Sequence, residues 1–234
     1  MAESACRHRD DAIICVDILL CSTTAVTSAA RGRRTFIVSN AEEARSRANA
    51  LRNPVLASEI PAQAPPDFDA DTGPAALERR RDVERPLVLT SPTAHLLANA
   101  RFAPALYLAC LRNAAAVARH VAVHHDRVTV LGAGHGSDIR CEDQLAAAMI
   151  ARDLARQGFE PEGLSTIREL SRWRDADLSV ARLGRGAELL RRTGHEEDLE
   201  FALSRQDDLD LVCEFRDGEV VAGNWLTADQ AEAV

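Results

Sequence analysis

The sequence predicts a three-layer α/β fold in which helices cover both faces of a mixed, largely parallel sheet. The main observation is that short apolar runs, typical of buried strands, alternate with longer runs of helical periodicity. A second observation is the dipeptide Asp217-Gly218 between the last two apolar runs, which is typical of a tight β-hairpin. Such a hairpin would add antiparallel strands to an otherwise parallel sheet.

Each predicted strand is an apolar run that stops at polar or turn-forming residues. These strands cover residues 12–20, 34–38, 54–59, 86–91, 105–110, 127–134, 210–215 and 219–225.

The predicted helices follow the strands and begin near residues that favour a helix N-terminus. They cover residues 22–32, 40–52, 91–100, 113–125, 141–158, 177–194 and 196–206. Ser22 or Thr23 is expected to cap the first helix, Asn40 the second and Ser91 the third. The first helix is expected to stop at Gly32, because glycine is favoured just beyond a helix C-terminus.

The chain is expected to form one structural unit. Residues 1–11 are interpreted as a polar N-terminal tail, and residues 12–234 as a single domain. The proline- and aspartate-rich run 60–74 is expected to be a long loop rather than a linker, because the same alternating pattern continues after it.

Composition excludes several classes of function. The net charge of −8 argues against a nucleic-acid partner, because phosphate backbones require clustered lysine and arginine. No run approaches the roughly 18 apolar residues of a membrane helix, so no membrane association is expected. The six cysteines show no CxxC pair and no zinc-like spacing, which favours a reduced, cytoplasmic protein. Cys15 and Cys21 flank Asp17 without an identifiable histidine partner, so no thiol nucleophile is expected.

Polar residues follow several predicted strands at the point where each strand ends. Asp17 and the hydroxyl run 22–24 follow the first strand, Glu59 the third and Asn113 the fifth. In open α/β sheets, ligands bind outside the carboxyl ends of the strands. Helix starts favour anions there, and carboxylates beside an anion are typical of a hard cation such as Mg²⁺ between them. We therefore expect the ligand site at these strand ends.

The glycine-rich run "GAGHGSD" ends the sixth predicted strand and precedes Glu142 and Asp143. A dinucleotide site would place its third glycine one residue after Gly136 and an acidic residue about 20 positions further on. Neither feature is present, which argues against a dinucleotide cofactor. Glu142 and Asp143 have two interpretations: acids that stabilise a helix N-terminus, or ligands of a metal ion.

Seven motifs occur in one order along the chain. They are "VDILLCSTTAVTSAARG", "SE" at residues 58–59, "FDADTGP", "LTSPTAHLL", "LRNAAAVA", "GAGHGSDIRCEDQLAA" and "GHEEDLEFAL…DLVCEFRDG". In this order they resemble the 2-phosphosulfolactate phosphatase family, whose members hydrolyse a phosphate ester of 3-sulfolactate with Mg²⁺. The resemblance covers nearly the whole chain after the first ten residues. It implies a Mg²⁺-dependent hydrolase that acts on a small phosphorylated sulfo- or hydroxycarboxylic acid.

The strand-end argument and the resemblance together assign the site. Asp17 and Glu59 are expected to be catalytic, and Asp17 is expected to hold Mg²⁺ together with Glu142 and Asp143. The residues expected to contact the substrate are Ser22, Thr23, Thr24, Asn113, Gly134 and Arg140.

The chain departs from the family pattern at positions where the pattern supplies cations. Leu20 and Ile60 stand in place of arginine, and residues 92–95 replace an Asn-Gly-Thr-Arg run. Each lost charge-assisted hydrogen bond is worth about 1.5–3 kcal/mol, so we expect a ligand that carries less charge than 2-phosphosulfolactate.

Two alternatives to the phosphatase hypothesis stay open at this stage. One is a catalytically inactive family member that binds a small anion or a protein partner. The other is a repurposed enzyme with another carboxylic-acid substrate. A homodimer is open as well, and the sequence names neither the substrate nor the pathway.

Overall fold

The computed structural model describes residues 11–60, 63–134 and 138–223. Within these ranges eight strands form a single sheet. They are β1 (Asp11–Val16), β2 (Thr35–Val38), β3 (Val55–Ser58), β4 (Leu87–Thr90), β5 (Ala105–Ala109), β6 (Arg127–Gly132), β7 (Val212–Arg216) and β8 (Glu219–Gly223). Their order across the sheet is β3-β4-β2-β8-β7-β5-β1-β6.

Helices connect most of these strands. In the described ranges they are α1 (Cys21–Ala30), α2 (Ala41–Ala48), α3 (Pro74–Arg79), α4 (Thr93–Ala100), α5 (Ala114–His124), α6 (Cys141–Arg156), α7 (Gly163–Arg172), α8 (Ser179–Arg182), α9 (Arg185–Arg192) and α10 (Glu196–Ser204). The predicted three-layer α/β fold with a mixed, largely parallel sheet is confirmed.

The sheet consists of two parallel groups of three strands, joined by an antiparallel hairpin. β1 pairs in parallel with β5 and β6, and β4 pairs in parallel with β2 and β3. The hairpin strands β7 and β8 pair antiparallel with each other, with β5 and with β2. Because three antiparallel pairings separate the two groups, these groups run in opposite senses along the sheet. The segments that follow β1, β3 and β4 nevertheless meet, since the Leu20 N–H donates to Glu59 and the Thr93 hydroxyl donates to Asp17.

β1 lies at the centre of the apolar core. Its residues from Ala12 to Val16 are at most 1% exposed. The surrounding core is built mainly from alanine, leucine and valine, because aromatic residues make up only 4% of the sequence. Asp17 comes directly after this strand, so its carboxyl group is held within the apolar interior.

Several element boundaries differ from the sequence prediction. β1 ends at Val16, and the apolar residues that follow Asp17 form a turn. These residues still pack in the core, which is why they are apolar without being part of the strand. The helix predicted over 177–194 is two helices, α8 and α9, with Gly184 between them. α3 begins at Pro74, at the end of the predicted loop, and it escaped prediction because it has only 6 residues.

The predicted N-terminal tail is too long by one residue, since Asp11 is the first residue of β1 and pairs with Arg127 of β6. Residues 1–10 of the tail and residues 224–225 of the last predicted strand lie outside the described residues. The assignment of residues 12–234 to a single domain stays a prediction.

The predicted local signals at two helix ends are confirmed. The Asn40 side chain accepts a hydrogen bond from the Glu43 N–H at 2.9 Å, and so caps α2. Gly32 follows the end of α1 with a φ of +76°, a conformation that favours glycine. Ser91 lies one residue before the N-cap position of α4, and its hydroxyl oxygen still accepts the Thr93 N–H at 3.0 Å.

The predicted hairpin is also confirmed. Asp217 and Gly218 connect β7 to β8 and both have positive φ values, 51° and 83°. This conformation matches the right-handed twist of the flanking strands.

Candidate active site

Asp17 lies in the turn that connects β1 to α1, and it is 3% exposed. Its carboxylate accepts a hydrogen bond from the Thr93 hydroxyl. Burial raises its pKa, and the nearby backbone N–H of Cys21 lowers it by a smaller amount. Because α1 begins at Cys21, a donor of the first helical turn points toward Asp17 rather than toward solvent.

Glu59 reaches the same turn from the other group of strands. It follows β3, and its carboxylate accepts the Leu20 N–H at 3.2 Å and the Ser91 hydroxyl. Ser91 and Thr93 both lie at the start of α4, so this helix start binds both acids. The sequence analysis expected Ser91 only to cap a helix and gave Thr93 no role, although their place after a strand end was the same signal that identified Glu59.

Asp17, Cys21 and Glu59 form the candidate metal centre. One carboxylate oxygen of each acid and the Sγ of Cys21 all lie within 4.8 Å of one another. In the part of the chain that the structure describes, no other group of three acidic, histidine or cysteine side chains has this spacing. Glu59 is the partly exposed member, so an ion would enter from its side. The sequence analysis missed Cys21 because it considered the thiol only as a nucleophile with a histidine partner.

Burial and mutual repulsion raise the pKa of the acids at this centre. The pKa of Asp17 lies well above its usual value, first because of burial and then because of the charge of Glu59. Burial likewise raises the pKa of Glu59 and of Asp143, and Asp17 raises the latter further. A cation bound between these carboxyls would stabilise their ionised forms.

Asp143 lies beside this centre and is held by the backbone of two loops. Its Oδ1 accepts the Ile18 N–H at 3.0 Å, and its Oδ2 accepts the Gly134 N–H at 3.1 Å. Asp143 therefore joins the turn after β1 to the loop after β6.

Glu142 binds the start of α9 instead. Its Oε1 accepts the Gly186 N–H at 3.0 Å, and its Oε2 accepts the Cys141 thiol at 3.2 Å. A Cβ atom at Gly184 or Gly186 would lie 2.3 Å from a Glu142 carboxylate oxygen, so both glycines permit this close approach. Neither Glu142 nor Asp143 belongs to the group within 4.8 Å, and direct metal contact by this pair stays a prediction.

The hydroxyl run 22–24 is buried and stabilises the turn after β1. The Ser22 hydroxyl oxygen accepts the Asp17 N–H at 3.2 Å, and the Thr23 hydroxyl donates to the Ile18 carbonyl at 2.9 Å. The expectation that Ser22 or Thr23 caps α1 is wrong. The N-cap is Leu20, because the chain turns back after Asp17 and directs these hydroxyls into the turn.

Backbone donors at the start of α1 are occupied as well. The Ser22 N–H bonds to the Asp17 carbonyl at 2.9 Å, and the Thr24 N–H bonds to the Leu20 carbonyl at 2.8 Å. These contacts explain the run without a ligand, so a substrate contact by Ser22, Thr23 or Thr24 stays a prediction.

Asn113 is fully buried at the start of α5. Its side-chain oxygen accepts the Cys110 N–H at 3.0 Å, and its amide nitrogen donates to the carbonyls of Leu108 and Leu211, each at 3.2 Å. The amide thus joins β5 to the segment before β7. A substrate contact by Asn113 also stays a prediction.

Gly134 comes directly before residues 135–137, which lie outside the described residues, and Arg140 follows them. Gly134 has a φ of +64°, and a Cβ atom there would lie 2.6 Å from the Asp138 carbonyl oxygen. The Arg140 side chain is 18% exposed and lies 3.6 Å from the Asp138 carboxylate. Burial raises the pKa of Glu59, and the charge of Arg140 lowers it by a smaller amount. His135 and Gly136 lie outside the described residues.

A cavity of about 220 Å³ opens beside Glu59, at the carboxyl ends of β2, β3 and β4. Its ten lining residues are all uncharged, and they include Ser39, Asn40, Ser58, Ile60 and Ser91. Ser91 connects the cavity to Glu59 through their hydrogen bond. A larger cavity of about 530 Å³ lies between α6 and α8 and includes none of the predicted site residues.

The fold and the site together define an α/β protein with an enzyme-like centre. Acids of raised pKa lie at strand ends beside a small polar cavity, and such acids in a cleft are candidates for an active site.

Comparison with known proteins identifies the family. The family model for 2-phosphosulpholactate phosphatase matches residues 2–218. A probable 2-phosphosulfolactate phosphatase of Deinococcus radiodurans is 31% identical over 205 residues, which cover 83% of this chain and 84% of the relative. Another, of Symbiobacterium thermophilum, is 31% identical over 207 residues, which cover 86% and 84%. The chain belongs to the 2-phosphosulpholactate phosphatase family.

The family assignment confirms the resemblance inferred from the seven motifs. Since the family and both relatives are named as phosphatases, it also confirms the predicted enzyme class, a hydrolase of phosphoric monoesters. Among the described residues, no helix combines the length and apolar character needed to cross a membrane.

Proposed function

We propose that this protein is a Mg²⁺-dependent phosphatase that hydrolyses a small phosphorylated hydroxycarboxylic acid. The observation that carries this proposal is the pair of acids Asp17 and Glu59. Their oxygens lie within 4.8 Å of each other beside a small cavity, in a chain of a phosphatase family.

The residues of this centre fit Mg²⁺. Mg²⁺ takes oxygen ligands, is held by one or two carboxylates and keeps several waters. Asp17 and Glu59 supply two carboxylates, and their hydrogen bonds come from hydroxyl and backbone N–H groups, which leave the negative charge uncompensated. When bound, Mg²⁺ would offset charge on the phosphoryl group and favour ionisation of a water molecule.

The protein supplies the orientation of both acids. Thr93 fixes the Asp17 carboxylate, and Ser91 with the Leu20 N–H fixes that of Glu59. Glu59 is the partly exposed acid and lies next to the cavity, so it is the better placed of the two acids to orient a water molecule there. We assign it this orienting role. Arg140, whose charge acts on Glu59, is the cation that we assign to the phosphoryl group.

The charge of the cavity sets the substrate class. 2-Phosphosulfolactate carries about four negative charges near neutral pH, counting phosphate as roughly two. The cavity offers hydroxyl and amide groups but no charged side chain among its lining residues. Leu20, in place of a family arginine, is 2% exposed and packs in the core. We therefore propose a phosphorylated hydroxy acid that lacks the sulfonate.

The deciding experiment is a steady-state assay of the purified protein with Mg²⁺. It compares 2-phosphosulfolactate with phosphate esters of simple hydroxy acids. We expect a kcat/KM below about 10⁴ M⁻¹s⁻¹ for 2-phosphosulfolactate, a higher value for an ester without sulfonate, and loss of both with chelator.

Three results would contradict parts of this proposal. A kcat/KM for 2-phosphosulfolactate at or above the ordinary enzyme range would restore the substrate of the family name. Full turnover in excess chelator would exclude the metal. Absence of turnover with every ester would identify an inactive family member.

A further inference from the structure

The Cys21 thiol distinguishes the metal centre from one built only of oxygen ligands. Its Sγ lies within 4.8 Å of the carboxylate oxygens of both Asp17 and Glu59. The residue is fully buried at the first position of α1. The centre therefore combines one soft sulfur donor with two hard oxygen donors.

The other described cysteines do not share this position. Cys15, Cys110 and Cys213 are buried, and none belongs to the group within 4.8 Å. Cys141 is partly exposed and its thiol donates to the neighbouring Glu142 carboxylate. Cys141 is therefore the matched control: a thiol beside one carboxylate, outside the centre.

The chemistry of the donors sets the ions that they select. Thiolate ligands select soft or borderline ions, whereas carboxylates alone suit Mg²⁺. Zn²⁺ accepts both, since it binds cysteine sulfur and Asp or Glu oxygen in four-coordinate sites. Three protein ligands and one open position also describe many catalytic zinc sites.

We propose that thiophilic divalent cations, of the class of Zn²⁺ and Cd²⁺, bind at this centre through Asp17, Glu59 and Cys21, and displace Mg²⁺. On binding, the Cys21 S–H bond breaks, the sulfur electron pair forms the bond to the metal, and the proton leaves to solvent. No group is oxidised or reduced. The displacement of Mg²⁺ rests on the proposed function, whereas binding of the thiophilic ion does not.

The test is a titration of the metal-free full chain with Cd²⁺, followed by the ultraviolet charge-transfer band of a thiolate bound to cadmium. The wild-type protein and Cys141→Ala should each develop this band with one equivalent of Cd²⁺. Cys21→Ala should lack the band and bind Cd²⁺ about tenfold more weakly or worse, because the soft ligand is gone. Circular dichroism checks the fold, and Cys21→Ser replaces Cys21→Ala if the latter does not fold.

Competition with Mg²⁺ gives the second measurement. Adding Mg²⁺ should shift the Cd²⁺ titration of the wild-type protein to higher Cd²⁺, and Asp17→Asn should weaken the binding of both ions. In Cys21→Ala, Mg²⁺ should retain its affinity, because its two carboxylate ligands remain.

The outcomes separate this inference from the proposed function. An unchanged band in Cys21→Ala, or its loss in Cys141→Ala, would overturn the assignment of Cys21. A wild-type protein without the band but with Mg²⁺-dependent phosphatase activity would overturn this inference and leave the function standing. A Cys21-dependent band that Mg²⁺ does not affect would support the thiophilic site, overturn the displacement of Mg²⁺ and argue against the proposed Mg²⁺ site.

Discussion

Two regions of this protein bury ionisable side chains, and only one of them pairs these side chains with oppositely charged groups. The Arg112 guanidinium, 2% exposed, contacts the carboxylates of Asp208 at 2.8 and 3.0 Å and of Glu78 at 3.3 Å. It also donates to the Thr27 hydroxyl at 2.9 Å and lies 5.0 Å from the centre of the Phe201 ring. Each donor group of this arginine thus has a partner, and carboxylates balance its charge.

At the Asp17–Glu59 centre, in contrast, neither acid is in an ion pair among the described residues. Its donors are hydroxyls and backbone N–H groups, and in the described ranges no arginine forms an ion pair with either acid. A buried charge that has lost its oppositely charged partner destabilises the fold, whereas buried acids of raised pKa without a paired cation are candidates for a functional site. Charge balance, rather than burial, therefore distinguishes the Arg112 cluster from the candidate centre.

The largest expected effect separates the two regions directly. Asp17→Asn removes one negative charge and keeps the volume of the side chain. We expect kcat to fall by at least about 10³-fold, roughly 4 kcal/mol, because a metal ligand and its charge are lost. The free energy of unfolding should not decrease, since the amide oxygen still accepts the Thr93 hydroxyl. Kinetics at varied Mg²⁺ together with thermal unfolding measure both quantities. A mutant that stays active and responds to Mg²⁺ would exclude Asp17 as a ligand.

The opposite pattern is expected in the balanced cluster. Arg112→Met should lower the free energy of unfolding by about 2–3 kcal/mol, because the charge-assisted hydrogen bonds to Asp208, Glu78 and Thr27 are lost and, of the described arginines, only Arg205 remains beside the two carboxylates. Turnover per folded molecule should stay unchanged. Urea unfolding and an activity assay well below the unfolding midpoint measure the two effects. A loss of stability under about 1 kcal/mol, the range of surface ion pairs, would contradict the structural assignment of Arg112.

The sequence predicted the fold class and selected two acids of the candidate centre, because both depend on local patterns. Apolar runs identified the strands, and the rule that ligands bind at strand ends selected Asp17 and Glu59. Local patterns do not specify which strands pair. The insertion of β7 and β8 between β5 and β2, which makes the two groups run in opposite senses, therefore could not be predicted.

The orientation of Glu142 escaped prediction for a related reason. Its carboxylate binds the Gly186 N–H, a residue 44 positions away in the sequence, and only the fold brings the two together. Asp198 of the last motif shows the same behaviour, since its Oδ1 accepts the Ala75 N–H at the start of α3 at 3.0 Å. Motif residues therefore serve the architecture of the fold as well as the chemistry.

A smaller effect is expected at Gly134, whose N–H holds Asp143 beside the Asp17–Glu59 centre. Gly134 holds Asp143 through its N–H, with a φ of +64° and space for no Cβ atom. Gly134→Ala should lower the free energy of unfolding by roughly 2 kcal/mol, from the left-handed backbone and the close contact with the Asp138 carbonyl. Denaturant unfolding checks this value. Gly32→Ala is the matched control, since Gly32 also has positive φ but nothing within 4 Å of its Cβ position. An equal loss in both mutants would show that strain alone, without the close contact, is responsible.

The smallest expected effect concerns a third case, in which a partly buried ionisable group stays neutral. The Tyr107 hydroxyl lies 3.2 Å from Nε2 of His120 and 2.8 Å from Nε2 of His125. Burial, then the nearby His124 and His125, lower the pKa of His120 from 6.5 to about 4. As the pH falls below 6.5, His120 binds a proton in the unfolded chain, whereas in the folded protein it stays neutral until about pH 4. The stability that neutral His120 contributes is therefore fully present above pH 6.5 and is lost as the pH falls toward 4.

Between pH 7 and pH 5, the wild-type protein should lose about 1 kcal/mol more stability than His120→Gln, allowing for solvent screening. Urea unfolding at both pH values measures the difference. The His125 pKa is lowered in the same direction and titrates in both proteins, so equal losses in the two proteins would mean that His120 is protonated in the folded state.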